Sequence, residues 1–122
     1  MFMKLLLAVV LLSTTAQAGD AILTWTAPGD DGSVGTATSY DLRRSASAIT
    51  AANFSQATAV TGLAAPKAAG SSETFTVTGL APGTYYFAVK AVDEAGNWSL
   101  ISNVVTKTVL DTTPPGAIVD LR

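Results

Sequence analysis

Few side chains in this sequence can carry out acid–base or nucleophilic chemistry. The chain of 122 residues contains neither histidine nor cysteine. Catalytic triads with a histidine base, histidine-ligated metals, thiolate metal sites and disulfides are therefore excluded. The remaining candidates are two pairs of adjacent carboxylates, Asp30 with Asp31 and Asp93 with Glu94, each within a run of turn-forming residues.

Neither carboxylate pair has the arrangement that catalysis or metal binding requires. Glycoside hydrolysis needs two carboxyl groups that face each other across a sugar, and neighbours on a turn do not face each other. Calcium needs about six oxygen ligands, and neither run has the alternating ligand spacing of a calcium loop, even with Asn97 added to the second pair. We therefore predict that the chain is not an enzyme and has no metal site and no cofactor.

Two aromatic side chains are candidates for a binding surface. Trp98 and Tyr86 would form a stacking platform for a polysaccharide if both rings lie exposed side by side. Asp30 and Asp31, on an exposed turn, would add polar contacts. These four residues form the candidate ligand surface, for a protein or a polysaccharide of unknown identity. The alternative is that Trp98 packs on the edge of the core and offers no platform.

Charge and length narrow the class of partner. Seven lysines and arginines stand against nine aspartates and glutamates, a net charge of -2, and charged residues make up only 13% of the chain. No basic stripe exists to attract a phosphate backbone, so nucleic acid is excluded as a partner. A chain of this length is one domain, with a core large enough to fold unaided.

The first 18 residues predict a signal peptide. They carry a positive charge at Lys4, an apolar run over Leu5 to Leu12, and the small-residue ending Ala16-Gln17-Ala18, which predicts cleavage after Ala18. The apolar run is 8 residues long, whereas a bilayer span needs roughly 20. We therefore expect a secreted protein, extracellular or periplasmic, with no membrane span after cleavage.

From Gly19 onward, apolar residues alternate with a period of two and are separated by runs of glycine, proline, serine, threonine and aspartate. This pattern predicts six short strands and leaves 49–54 and 63–72 as loops. Because half of each strand is apolar, two sheets must pack face to face to bury those faces. The predicted strands are 21–26, 39–44, one near 57–61, 74–78, 85–92, and one within 102–109.

The segment from Leu80 to Asn103, LAPGTYYFAVKAVDEAGNWSLISN, resembles the corner, F strand, loop and G strand of a fibronectin type III domain, and AILTWTAP resembles its B strand. The resemblance covers residues 20–110. It implies an immunoglobulin-like β-sandwich in which a tyrosine hydroxyl fixes the E–F corner by bonding to nearby backbone. The residues that match the family pattern are Trp25, inward on strand B, and Leu80, Pro82, Gly83 and the corner tyrosine Tyr85.

The two ends depart from the family pattern. Strand A precedes the tryptophan strand in the family, but cleavage after Ala18 leaves only Gly19 and Asp20 before strand B, so we predict a domain over 19–110 that lacks its own strand A. Residues 111–122, DTTPPGAIVDLR, resemble an interdomain linker and the start of a following strand A. Three interpretations stay open: a fragment of a tandem array, a tail that fills its own strand A position, and a tail that completes another molecule head to tail.

The resemblance implies a non-catalytic structural or interaction module, a spacer or adhesion-type domain that is secreted or displayed on a cell surface. The alternative is a carbohydrate-binding accessory module of an extracellular enzyme, and the third candidate function is the head-to-tail assembly. Adjacent domains of the same protein are expected partners in the first two cases.

Overall fold

The computed structural model describes residues 19–122, and the signal peptide predicted over residues 1–18 lies outside this range. Six strands are present, in the number and order that the alternation predicts, with one turn of 3-10 helix. The strands are β1 (Gly19–Thr26), β2 (Ser39–Ser45), β3 (Thr58–Val60), β4 (Ser72–Leu80), β5 (Gly83–Val92) and β6 (Val105–Val109), and the 3-10 turn is Phe54–Gln56.

The strands form two antiparallel sheets, β1–β4 and β3–β2–β5–β6. The predicted all-β, immunoglobulin-like sandwich is confirmed. Within residues 19–122, β1 has one strand partner, β4, so its other edge carries no strand there. The same part of the chain holds no helix long and apolar enough to cross a membrane.

The core lies between the sheets because alternate residues of each strand point inward. Phe87 on β5 is the most deeply buried large side chain, at 1% exposure, and it packs with Leu23 of β1 and Leu42 of β2. Trp25 stands at the margin of this cluster, with its ring edge-on to Tyr40 at 5.2 Å between centroids and 88° between planes.

One hydrogen-bonded group joins the two sheets across this margin. The Tyr40 hydroxyl on β2 donates to Glu73 Oε2 on β4 at 2.9 Å, and the Lys67 backbone N–H donates to the same oxygen at 2.9 Å. Glu73 is only 8% exposed, so these donors compensate for the water that its carboxylate has lost. The pKa of the Tyr40 hydroxyl is raised to about 12, chiefly by burial and in smaller part by the Glu73 carboxylate.

Residues of the predicted loop 49–54 cover the outer face of the four-stranded sheet. Ile49 and Phe54 are buried against Ala88 of β5, and the loop closes with the 3-10 turn that begins at Phe54. Two cations lie over the Phe54 ring, with Arg43 Cζ at 5.6 Å and Lys90 Nζ at 4.7 Å from its centroid. These contacts exclude water from a face that period-two alternation predicts to be solvated.

The corner before β5 is held by a hydrogen bond of the kind that the family resemblance implies. The Tyr85 hydroxyl donates to the Ala81 backbone carbonyl at 2.7 Å. Leu80, at the end of β4, is 3% exposed and belongs to the core. After Pro82, β5 begins at Gly83, two residues earlier than the sequence predicts.

The last strand, β6, lies within the predicted range 102–109 and begins at Val105. Residues 99–104 lie beside β5 but are held there by serine side chains. Ser99 and Ser102 accept hydrogen bonds through Oγ from the backbone N–H groups of Ala91 and Val89, both at 2.9 Å. Their own N–H groups donate to the carbonyls of the same two residues at 2.8 and 3.0 Å. Each serine hydroxyl accepts the hydrogen bond that a backbone carbonyl would accept in a regular strand pair. Regular pairing of β6 with β5 therefore starts only at Val105.

The tail, residues 111–122, is exposed throughout and contains no strand. It leaves β6 next to the beginning of β1, since Val109 packs so tightly against Gly19 that a side chain on Gly19 would overlap the valine. The tail therefore starts at the pole of the sandwich where β1 also starts.

We expect the substitution Tyr40→Phe to lower the free energy of unfolding by about 1 to 3 kcal/mol, because the buried Glu73 carboxylate then loses one of its donors. Tyr86→Phe is the matched control, since Tyr86 is half-buried on β5 and its hydroxyl has no hydrogen-bond partner among residues 19–122. Urea denaturation followed by tryptophan fluorescence measures both variants. Equal losses in the two variants would contradict a role for the Tyr40–Glu73 bond.

Candidate functional site

The two carboxylate-bearing loops meet at one pole of the sandwich. β2 and β5 pair antiparallel with Ser39 opposite Val92, so the loop that enters β2 lies beside the loop that leaves β5. The Thr38 N–H donates to the Val92 carbonyl at 2.8 Å and extends this pairing into the loops. We call the resulting cluster the acidic pole; it consists of Asp30, Asp31, Asp93 and Glu94.

The first loop is a tight backbone structure that sets the position of Asp30. The Gly29 N–H donates to the Gly32 carbonyl at 2.8 Å, and Asp31 and Val34 exchange backbone hydrogen bonds at 3.0 and 3.2 Å. Gly32 has a φ of 66°, in the left-handed region that favours glycine. The turn directs Asp30 toward the second loop, and one of its oxygens, Oδ1, is buried without a hydrogen-bond donor in the described part of the chain.

The second loop uses its first carboxylate to hold its own backbone. Asp93 Oδ1 accepts from the N–H groups of Ala95 and Asn97 at 2.9 and 2.8 Å, and Oδ2 accepts from Asn97 Nδ2 at 3.0 Å. These hydrogen bonds, those from Asn97 above all, lower the pKa of Asp93. Asp93 is therefore an ionised turn-forming residue whose oxygens already have partners.

Asp30 and Glu94 form the one close contact between carboxyl groups of the two loops. A hydrogen bond with the Glu94 side chain, loss of water and the negative charges of Glu94, Asp31 and Asp93 together raise the pKa of Asp30 to about 6. Two carboxylates cannot bond to each other unless one of them holds a proton. Asp30 therefore carries a proton in mildly acidic solution and a negative charge at higher pH.

The acidic pole differs in arrangement from a glycosidase site. Asp30 and Glu94 approach each other closely, whereas the two acids of a glycosidase stand roughly 5 to 9 Å apart. Within residues 19–122, no group of three or more acidic side chains is placed to hold a metal ion. Asp30 is thus a group of the acidic pole that binds and releases a proton near pH 6.

The candidate ligand surface is divided by the structure. Trp98 bridges Val92 at the end of β5, is 53% exposed, and lines a cavity of about 250 Å³ together with Asp30. Tyr86 lies six residues before Val92 on the same strand, so about 20 Å separate the two aromatic positions. The structure thus brings Trp98 together with Asp30 at this cavity, which Asp31 does not line. It does not bring Tyr86 and Trp98 together, and the idea of one platform built from both rings is wrong.

A second concave feature lies beside β1, and we call it the β1 groove. It runs between the free edge of β1 and residues 99–105, and it consists of two adjoining cavities of about 80 and 360 Å³. The residues that line both cavities are Thr24, Trp25, Val89, Ser102 and Asn103. The predicted lack of strand A was the signal for this groove, since strand A would lie beside β1.

We expect the stability of the protein to rise as the pH falls from 7.5 to 5. A carboxyl whose pKa is higher in the folded state than in the unfolded state destabilises the fold when ionised, and this penalty is relieved as the pH falls through about 6 toward 3.8. Asp30→Asn should raise the urea midpoint at pH 7.5 and flatten this pH dependence.

The matched control for that prediction is Asp31→Asn. It removes a neighbouring charge from the same loop but leaves the contact between Asp30 and Glu94, so most of the pH dependence should remain. If the wild type and Asp30→Asn respond equally to pH over this interval, the proton is not held at Asp30.

Comparison with known proteins agrees with this architecture. The profile described as "Fibronectin type III domain" matches residues 10–107, a range that also includes the end of the predicted signal peptide. A curated relative, chitinase A1 of Niallia circulans, is 41% identical over 108 residues, which cover 86% of this chain and 12% of that protein. The chain thus spans about an eighth of its relative. No solved structure matches the chain.

The matched profile covers most of the chain, and the observed antiparallel two-sheet sandwich agrees with it. The chain therefore belongs to the fibronectin type III domain family.

Proposed function

We propose that the chain is a non-catalytic structural module of an exported, multidomain protein that degrades a polysaccharide, and that it holds neighbouring domains apart. The observation that carries the proposal is its 41% identity to a stretch that makes up 12% of chitinase A1. The name of this relative describes an enzyme that acts on chitin, a polysaccharide. A small sandwich domain within such a protein lies beside other domains on the same chain.

The surface of the sandwich supports a spacer role over an enzymatic one. Asp30 and Glu94 lie close to each other, and Asp93 accepts hydrogen bonds from the backbone of its own turn. The tail leaves the domain without packing on it and includes Pro114 and Pro115, which favour an extended, semi-rigid chain. Such a segment suits a connection between domains.

A carbohydrate-binding role is the second candidate, and the exposure of Trp98 favours it. One half-exposed indole is a weak platform, because polysaccharide surfaces gain affinity by stacking several rings along one face, and Tyr86 lies about 20 Å away along β5. The carboxylates around Trp98 add charge but no further ring. We therefore favour the spacer role over the carbohydrate-binding role.

Sedimentation with insoluble chitin separates the two candidates. We expect the protein to stay in the supernatant and to release no reducing ends from the polymer. Two substitutions serve if some protein is retained: Trp98→Ala, and Leu100→Ala as the matched control, since Leu100 is exposed on the same segment. Retention that is lost in Trp98→Ala and kept in Leu100→Ala would establish the sugar-binding role and overturn the spacer proposal.

The proposal also includes export by a cleavable signal peptide. We expect the mature protein, collected from the periplasm or the medium of a bacterial host, to begin at Gly19. Mass spectrometry of the intact protein measures this directly. A mass that includes residues 1–18, or protein found only in the cytoplasm, would contradict export by this route.

A further inference from the structure

The β1 groove exposes part of the core. Its smaller cavity is lined by Leu23, Leu42 and Phe87, the residues at the centre of the packing between the sheets. Its larger cavity continues past Trp25 toward Pro28 and Leu100. The groove is therefore apolar at its base, and one of its walls is the edge of a strand.

Within residues 19–122, that edge carries backbone groups without a partner. The Ala27 N–H donates to Ser71 across the β1–β4 pair, and antiparallel pairing alternates the direction of N–H groups along a strand. The N–H groups of residues 21, 23 and 25 therefore point toward β4, and those of Ile22, Thr24 and Thr26 point toward the open side. Unpaired groups of this kind are a template for another strand.

The tail contains a segment suited to that template. In Gly116–Arg122, the alternation places Ala117, Val119 and Leu121 on one face and Ile118, Asp120 and Arg122 on the other. Val119 is 92% exposed and Leu121 is 90% exposed. Apolar side chains at this exposure contribute nothing to the stability of their own domain.

We propose that the Gly116–Arg122 segment of one molecule occupies the β1 groove of a second copy and completes its two-stranded sheet. Pairing is antiparallel, with Gly116 opposite Thr26 and Arg122 opposite Asp20. In this register Val119 lies opposite Leu23, and both face the core.

Size and charge agree with this register. The small Ala117 lies opposite the bulky Trp25, and Leu121 lies opposite Ala21, so large residues face small ones at both ends of the strand. Arg122 and Asp20 are both exposed and on the outer face, where opposite charges on paired strands attract.

The occupant is a second copy because the tail cannot reach its own groove in this direction. The tail starts beside Gly19, whereas an antiparallel strand must start beside Thr26, about 23 Å away along β1 and on a sheet about 10 Å from β6. The six steps from Leu110 to Gly116 extend about 20 Å at most. Donation to a neighbour places the tail of one molecule at the far pole of the next, so the copies join head to tail.

The test uses two single substitutions in the secreted chain. Val119→Asp disables the donor, because a carboxylate would enter the apolar groove unpaired. Thr24→Pro disables the acceptor, because proline removes an N–H from the open edge while leaving the bonds to β4, as edge strands tolerate. Ile118→Asp is the matched control for the donor, since the neighbouring side chain faces outward.

We expect the wild type and Ile118→Asp to form oligomers that grow with concentration in size-exclusion chromatography with light scattering. Val119→Asp and Thr24→Pro should each be monomers, with an association constant lower by about tenfold or more. An equimolar mixture of the two should form dimers only, because the intact tail of one enters the intact groove of the other.

Amide hydrogen exchange locates the contact and keeps the test independent of the folding of Thr24→Pro. The amides of Ile22, Thr24 and Thr26 should exchange slowly in the wild-type oligomer and fast in the Val119→Asp monomer. The proposal is overturned by a wild type that is monomeric at all concentrations, by equal effects of Val119→Asp and Ile118→Asp, or by slow exchange of these amides in a monomer, which would mean that the chain covers its own edge.

Discussion

The burial of Phe87, Leu23 and Leu42 between the two sheets is the interaction on which the rest of the structure depends. With no cysteine in the chain, no disulfide can hold the sheets together, so their contact has to come from apolar packing and hydrogen bonds. The Tyr40–Glu73 bond joins the sheets at the margin of this packing. It fixes their relative position at the end of the sandwich where Trp25 lies.

The unequal width of the sheets explains where the molecule is open. The four-stranded sheet is covered on both faces, by the core on one side and by Ile49 and Phe54 on the other. The two-stranded sheet is too narrow to cover the core beside β1, and the β1 groove results.

Local pattern predicted most of the fold because each strand buries alternate residues. It placed six strands and the inward positions of Leu23, Leu42 and Phe87, and it assigned Trp25 to the core side of β1. It gave no sign that Ile49 and Phe54 of the predicted loop 49–54 are buried, or that two serine hydroxyls hold residues 99–102 beside β5. Neither feature repeats at a fixed spacing along the chain, so the alternation of apolar residues does not reveal it.

The sequence by itself determined the fold class, the lack of histidine and cysteine and the alternation of its tail, because these depend on residue types and on local spacing. Only the tertiary structure decided which distant groups meet. It joined Asp30 to Glu94 and separated Trp98 from Tyr86, because antiparallel pairing of β2 with β5 fixes which loops share a pole. It also exposed the groove beside β1, since an open edge is a property of the assembled sheets and of no single strand.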